Sequence, residues 1–162
     1  MFVDIVETMA TSDNVIRAGL TPKHRDVPNL ISTLTYTSAE ATQHTLTPRP
    51  FGTPADPFAD ARAESLVYDP PIPEFAVVRV EADKGASARH EGLRGPSIFI
   101  VTKGKGRVSW VESEAGEKEA ELSEGSVFFI GANTPVTFNA PQENLEVYRA
   151  FVEPSDRSFR DF

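Results

Sequence analysis

Charged side chains that could do chemistry are spread along the whole sequence. Glu7 and Asp13 supply carboxylates, Arg17 a planar cation and Lys23 a mobile ammonium. A guanidinium fork suits a phosphate or a negatively charged oxygen, and carboxylates suit proton handling. Taken alone, such residues are more often ordinary surface charges. Asp13, close to Arg17, also reads as an ion-pair partner that orients the guanidinium. Metal chemistry has little to work with. There is no cysteine, which excludes disulfides and thiolate zinc sites, and only His24, His44 and His90 offer ring nitrogens. His24 and His44 read as exposed loop histidines, and neither has a partner at metal-ligand spacing. The acidic run from Glu112 to Glu121 could be a cation site, but a solvated hairpin tip whose charges guard strand edges is the stronger reading.

The elements that must hold these residues follow from composition and pattern. With 162 residues, 40% hydrophobic and 25% charged, the chain has material for one sizeable core. A formal charge of -8 repels nucleic-acid phosphates and anionic lipid headgroups, so neither is an expected partner. The first residues carry acids where a secretory signal would be basic, and no apolar run is long enough to span a bilayer, so the expected location is the cytoplasm.

Residues 2 to 9 alternate loosely and predict a short strand running into the turn cluster at Thr11 to Asn14. Asp26-Val27-Pro28 before Leu30, Ile31 and Leu34 predicts a helix of about two to three turns. Seven of the 13 prolines fall between Thr37 and Glu74, which predicts an extended connector pinned by Phe51, Phe58 and Tyr68. Beyond it the pattern is that of a β protein. Phe75 to Val80, Ser97 to Thr102, Val108 to Val111, Val127 to Ile130, Val136 to Phe138 and Leu145 to Phe151 read as short strands. Gly104-Lys105-Gly106 predicts a hairpin between the second and third of them. Short strands at this spacing make a sandwich or a closed jelly roll.

The segment Ser12-Asp13-Asn14-Val15-Ile16-Arg17-Ala18-Gly19-Leu20-Thr21-Pro22-Lys23, followed by Asp26-Val27, resembles the signature segment of type I phosphomannose isomerases. The resemblance continues through Tyr68-Asp69-Pro70-Pro71, Phe75 to Val80 and Gly125 to Asn133, and covers nearly the whole chain. It implies a mainly β fold. Residues 1–36 would be a remnant of the family's catalytic cupin barrel with a short helix, 37–74 a Pro-rich connector, and 75–162 a C-terminal cupin-like jelly roll.

The resemblance also implies a reaction, the interconversion of mannose 6-phosphate and fructose 6-phosphate that feeds GDP-mannose supply. Moving a carbonyl between C1 and C2 removes a proton and returns it to the neighbouring carbon, through an enediolate whose negative oxygen a zinc ion and a fixed guanidinium would stabilise. By the same resemblance Arg17 is the catalytic arginine. Lys23, Glu7 and Asp13 would bind or brace the hexose 6-phosphate, and Gly19 would let the backbone pass close to it. The family's zinc ligands are a glutamine, a glutamate and two histidines, all upstream of the segment beginning at Asp4. The resemblance therefore implies a zinc enzyme of which this chain alone holds no zinc, and whose missing N-terminal part is its expected partner. The solitary His90, with Val136 near where a later cupin histidine would fall, makes the C-terminal barrel a structural one. A non-catalytic sugar-phosphate-binding or structural module is the alternative.

Overall fold

The computed structural model describes residues 5–11, 15–17, 19–52, 60–112 and 116–152. It divides into two compact units, one of residues 9–45 and one of residues 1–8 with 46–162.

In the smaller unit the expected helix forms as α1 (Val27–Thr33). Asp26 caps it, its Oδ1 accepting from the Asn29 amide at 3.3 Å, and Pro28 sits in the first turn where no amide donor is needed. None of its residues is buried. A single 3-10 turn follows at Ala41–His44.

The larger unit is a two-layer β structure. Among the described residues ten strands form: β1 (Arg49–Pro50), β2 (Ala63–Tyr68), β3 (Ala76–Ala82), β4 (Ser87–His90), β5 (Ser97–Lys103), β6 (Lys105–Glu112), β7 (Gly116–Ser123), β8 (Val127–Ile130), β9 (Val136–Asn139) and β10 (Leu145–Phe151). The larger sheet runs β1-β2-β3-β10-β5-β8 and the smaller β4-β9-β6-β7, and every paired neighbour is antiparallel. Alternation of buried and outward residues along β3 and β10 builds the core between the layers. Val78, Val80, Phe99, Val101, Phe138 and Val147 are at its centre.

Three expectations differ from this arrangement. Of the strand expected over residues 2 to 9, residues 2 to 4 lie outside the described residues and residues 5 to 9 form no strand, with Ile5 and Met9 84% and 76% exposed. Alternation alone cannot make a strand when no neighbouring strand takes up its amides and carbonyls. Ser97 to Thr102 and Val108 to Val111 do not form a hairpin either. β5 pairs with β10 and β8 in one sheet, β6 with β7 and β9 in the other, so the chain steps between layers at Gly104. Its φ of +81° serves a corner, not a two-residue hairpin loop. The actual hairpin is β6 with β7, in full register from Lys105 opposite Ser123 to Glu112 opposite Gly116.

Lastly, β1 and β2 lie within the Pro-rich stretch 37–74, and β2 pairs along its whole length with β3. Pro50 is tolerated because β1 is a two-residue edge strand. Phe51 and Tyr68 are the anchors expected of them, Phe51 packing on the core and Tyr68 half-buried in β2; Phe58 lies outside the described residues.

Of the acidic run, Glu112 ends β6 and residues 116–121 lie in β7, the edge of the smaller sheet, while residues 113–115 lie outside the described residues. Glu119 and Glu121 both reach Arg107 on β6, at 3.6 and 2.8 Å. Charges on an otherwise open edge discourage pairing with another chain.

Candidate functional site

The residues marked by the sequence are distributed over both units. Arg17 is half-buried, and its guanidinium donates to the Val15 carbonyl at 3.3 Å. Lys23 is exposed, its backbone amide donating to Thr21 Oγ1 at 3.2 Å. Both belong to the unit of residues 9–45, together with His24 and His44, which are exposed. Glu7 belongs to the larger unit and is also exposed. Asp13 lies outside the described residues. A Cβ built on Gly19 meets nothing within 4 Å among the described residues.

A second polar constellation, which pattern reading passed over, lies inside the barrel. Arg149 on β10 is 1% exposed and His90 on β4 is 2% exposed. Arg149 Nε donates to Ser97 Oγ at 2.9 Å, and an Arg149 terminal nitrogen lies 3.2 Å from His90 Nδ1. Arginine can only donate, so Nδ1 is the acceptor and the imidazole proton sits on Nε2. From there it is given to Ser65 Oγ, 3.0 Å away on β2. The imidazole edge also meets the Phe51 and Phe138 rings, with centroids at 4.9 and 5.4 Å.

Electrostatics fixes the protonation states. Burial, and then the neighbouring Arg149 charge, push the His90 imidazole down to about 3, so it is neutral at physiological pH. Burial pushes Arg149 down to about 10, which leaves it a cation. No carboxylate among the described residues pairs with it; its charge is spread over hydroxyl and imidazole acceptors. The signal was present in the sequence: along Leu145 to Phe151 the alternation puts Leu145, Val147, Arg149 and Phe151 on one face.

This interior does not fit a zinc ion. Both ring nitrogens of His90 are engaged, and the adjacent guanidinium would repel a metal cation. Val136, opposite His90 in the β4–β9 register, adds no donor. Among the described residues no three His, Cys, Asp or Glu groups converge to hold a metal.

Comparison with known proteins agrees with the sequence resemblance and the topology. Residues 65–110 match the sequence profile described as phosphomannose isomerase type I C-terminal. The chain is 44% identical over 93% of its length to the mannose-6-phosphate isomerase of Cryptococcus neoformans, and 44% over 94% to that of Saccharomyces cerevisiae. It spans about a third of the length of these relatives, 32% and 33% respectively. Among solved structures, vicilins from Capsicum annuum and from tomato superpose on 59% and 60% of the chain, each with a TM-score of 0.53 and 18% identity. They cover 28% and 30% of those chains and establish the cupin-type double sheet alone. By sequence, the chain is similar to about one third of the length of these mannose-6-phosphate isomerases, and its residues 65–110 resemble the C-terminal region of type I phosphomannose isomerases.

Proposed function

We propose that the chain is the C-terminal portion of a cytoplasmic mannose-6-phosphate isomerase, inactive alone, and that it completes an active site whose zinc other parts of the enzyme hold. The observation that carries this reading is identity of 44% along nearly the whole chain to enzymes three times as long. The barrel interior supports a structural role for residues 75–162, because its buried His90 has both ring nitrogens committed to Arg149 and Ser65. Residues 1–36 carry the chemistry. Arg17 stabilises the enediolate oxygen of the hexose 6-phosphate or holds its phosphate, Lys23 holds the substrate electrostatically, and Glu7 and Asp13 line or brace the same pocket. The charge of -8 argues against nucleic-acid and anionic-membrane partners, and no helix among the described residues is long and apolar enough to cross a membrane.

Two measurements test this. The purified chain is expected to hold no stoichiometric zinc by metal analysis and to show no mannose 6-phosphate turnover; one tightly bound zinc per chain, or turnover by the chain alone, overturns the reading. When the chain replaces the matching third of the Saccharomyces cerevisiae enzyme, the hybrid is expected to turn over substrate. Arg17→Ala in that hybrid is then expected to lower kcat/KM by about 100-fold or more, the usual scale for losing one preorganised donor to a developing oxyanion. A change of less than about threefold removes Arg17 from the active site.

A further inference from the structure

The outer face of the larger sheet is apolar where a sheet facing water is ordinarily polar. The register aligns Tyr68, Val77, Ala150, Ile98 and Phe129 in one unbroken row across β2, β3, β10, β5 and β8. The adjoining row ends in Ile100 opposite Val127. At this end Ile98, Ile100, Val127 and Phe129 are 50%, 36%, 54% and 72% exposed, and they form two facing cross-strand pairs. On its far side the apolar area is bordered by Glu64, Glu81 and Glu146, with Arg79 bridging the last two. Burial alone raises the Glu146 carboxyl, but the Thr102 hydroxyl and the Arg79 guanidinium outweigh it and hold Glu146 below the usual glutamate value. Glu146 is therefore charged at neutral pH.

We propose that this face seats the catalytic portion of a type I mannose-6-phosphate isomerase, the two thirds of the relatives' length that this chain does not span. The inference rests on the functional reading above and adds the surface that joins the two parts. The path of the polypeptide argues for that occupant. Ile5, Val6 and Thr8 wall an open groove of about 740 Å³ on this face, opposite Tyr68, Val77 and Tyr148. The matched profile is the family's C-terminal region, so the relatives' remaining length lies mainly on the amino-terminal side, from which residues 5–8 arrive. The complementary surface is apolar, with a cation placed to meet the exposed Glu64.

Because the chain has no cysteine, a single Phe129→Cys or Val127→Cys substitution introduces its sole thiol. Maleimide modification of each is compared between the 162-residue chain and the hybrid with the Saccharomyces cerevisiae enzyme, with peptide mass identifying the site. Glu119→Cys on the exposed β7 edge serves as the reference. Both face thiols are expected to react at least tenfold more slowly in the hybrid, while the Glu119→Cys thiol reacts at the same rate in both. Equal rates at the face in a hybrid that turns over substrate overturn the docking and leave the functional reading standing. Protection already present in the isolated chain and rising with its concentration assigns the face to a second copy and also overturns it. A hybrid with no turnover removes the functional reading, and the docking with it.

Discussion

Gly104→Ala is expected to cost the barrel a large part of its folding stability. At this corner φ is +81°, and a Cβ would lie 1.9 Å from the Asn144 carbonyl oxygen and 3.0 Å from its carbon. Both atoms are backbone, so no side chain can rotate away. Gly125→Ala is the internal reference, because its φ is +82° and a Cβ there meets nothing within 4 Å. The left-handed conformation costs both variants about 1 kcal/mol. Only Gly104→Ala must also push two chain segments apart, and we expect a total above about 4 kcal/mol, against a typical domain stability of about 5–15 kcal/mol. Thermal melts followed by circular dichroism should show Gly125→Ala melting a few degrees below the parent and Gly104→Ala at least about 15 °C below it, or without a cooperative transition. Equal melting temperatures for the two variants would show that the layers do not approach closely at this corner.

The second large effect is on acid stability. His90 is neutral in the folded barrel, its imidazole pushed down to about 3, whereas the unfolded chain titrates near 6.5. Above about pH 6.5 neither state carries the proton, and the folded state has its full stability. As pH falls from there toward 3, the unfolded chain takes up a proton that the folded barrel refuses, so stability is lost at up to about 1.4 kcal/mol per pH unit. His90→Gln keeps an acceptor for Arg149 and a donor for Ser65 but cannot titrate. It should be less stable than the parent by about 1–3 kcal/mol at pH 8, through lost ring packing and imperfect hydrogen bonds. Between pH 6 and 4 its urea midpoint should fall less steeply, with the linked uptake reduced by close to one proton. Parallel curves for the two proteins would mean that the buried imidazole is not held neutral.

How far the fold could be read from residues depended on which physical signal each element used. Where burial follows a local period, reading was direct: Val127 to Ile130, Val136 to Phe138 and Leu145 to Phe151 are strands within a residue of their expected bounds, and the proline-led helix begins at Val27 behind its Asp26 cap. Where the outcome depends on pairing with distant residues, local pattern was insufficient. Gly104 and Gly106 carry the same composition whether the chain folds back within one sheet or crosses to the other, and only the competition of β10, β8 and β9 for neighbours decides. Likewise Ala63–Tyr68 sits in proline-rich surroundings yet becomes a full strand because β3 offers it an edge.

The proposed site residues were marked by a different kind of signal. Arg17 and Lys23 stood out by their place in a contiguous motif, and no packing argument would have separated them from other surface cations. Arg149 was hidden by its company, an arginine in an apolar strand that alternation nonetheless turned inward. Ile98 and Ile100 were visible as apolar residues, but reading Ser97 to Thr102 only as a strand left unasked why both of its faces were apolar.

The four side chains linked inside the barrel, Ser65, His90, Ser97 and Arg149, come from four strands and both sheets. Replacing Arg149 or His90 alone leaves its partner's donor or acceptor stranded in the interior, whereas exchanging both for apolar residues of similar volume removes the buried charge and its imidazole acceptor at once and leaves only the Ser65 and Ser97 hydroxyls to find new partners. The cost of each change therefore depends on whether the other has already occurred. Lineages drifting at these positions would have to move them in concert, and a sequence in which only one has changed should carry a compensating change within the same small cluster.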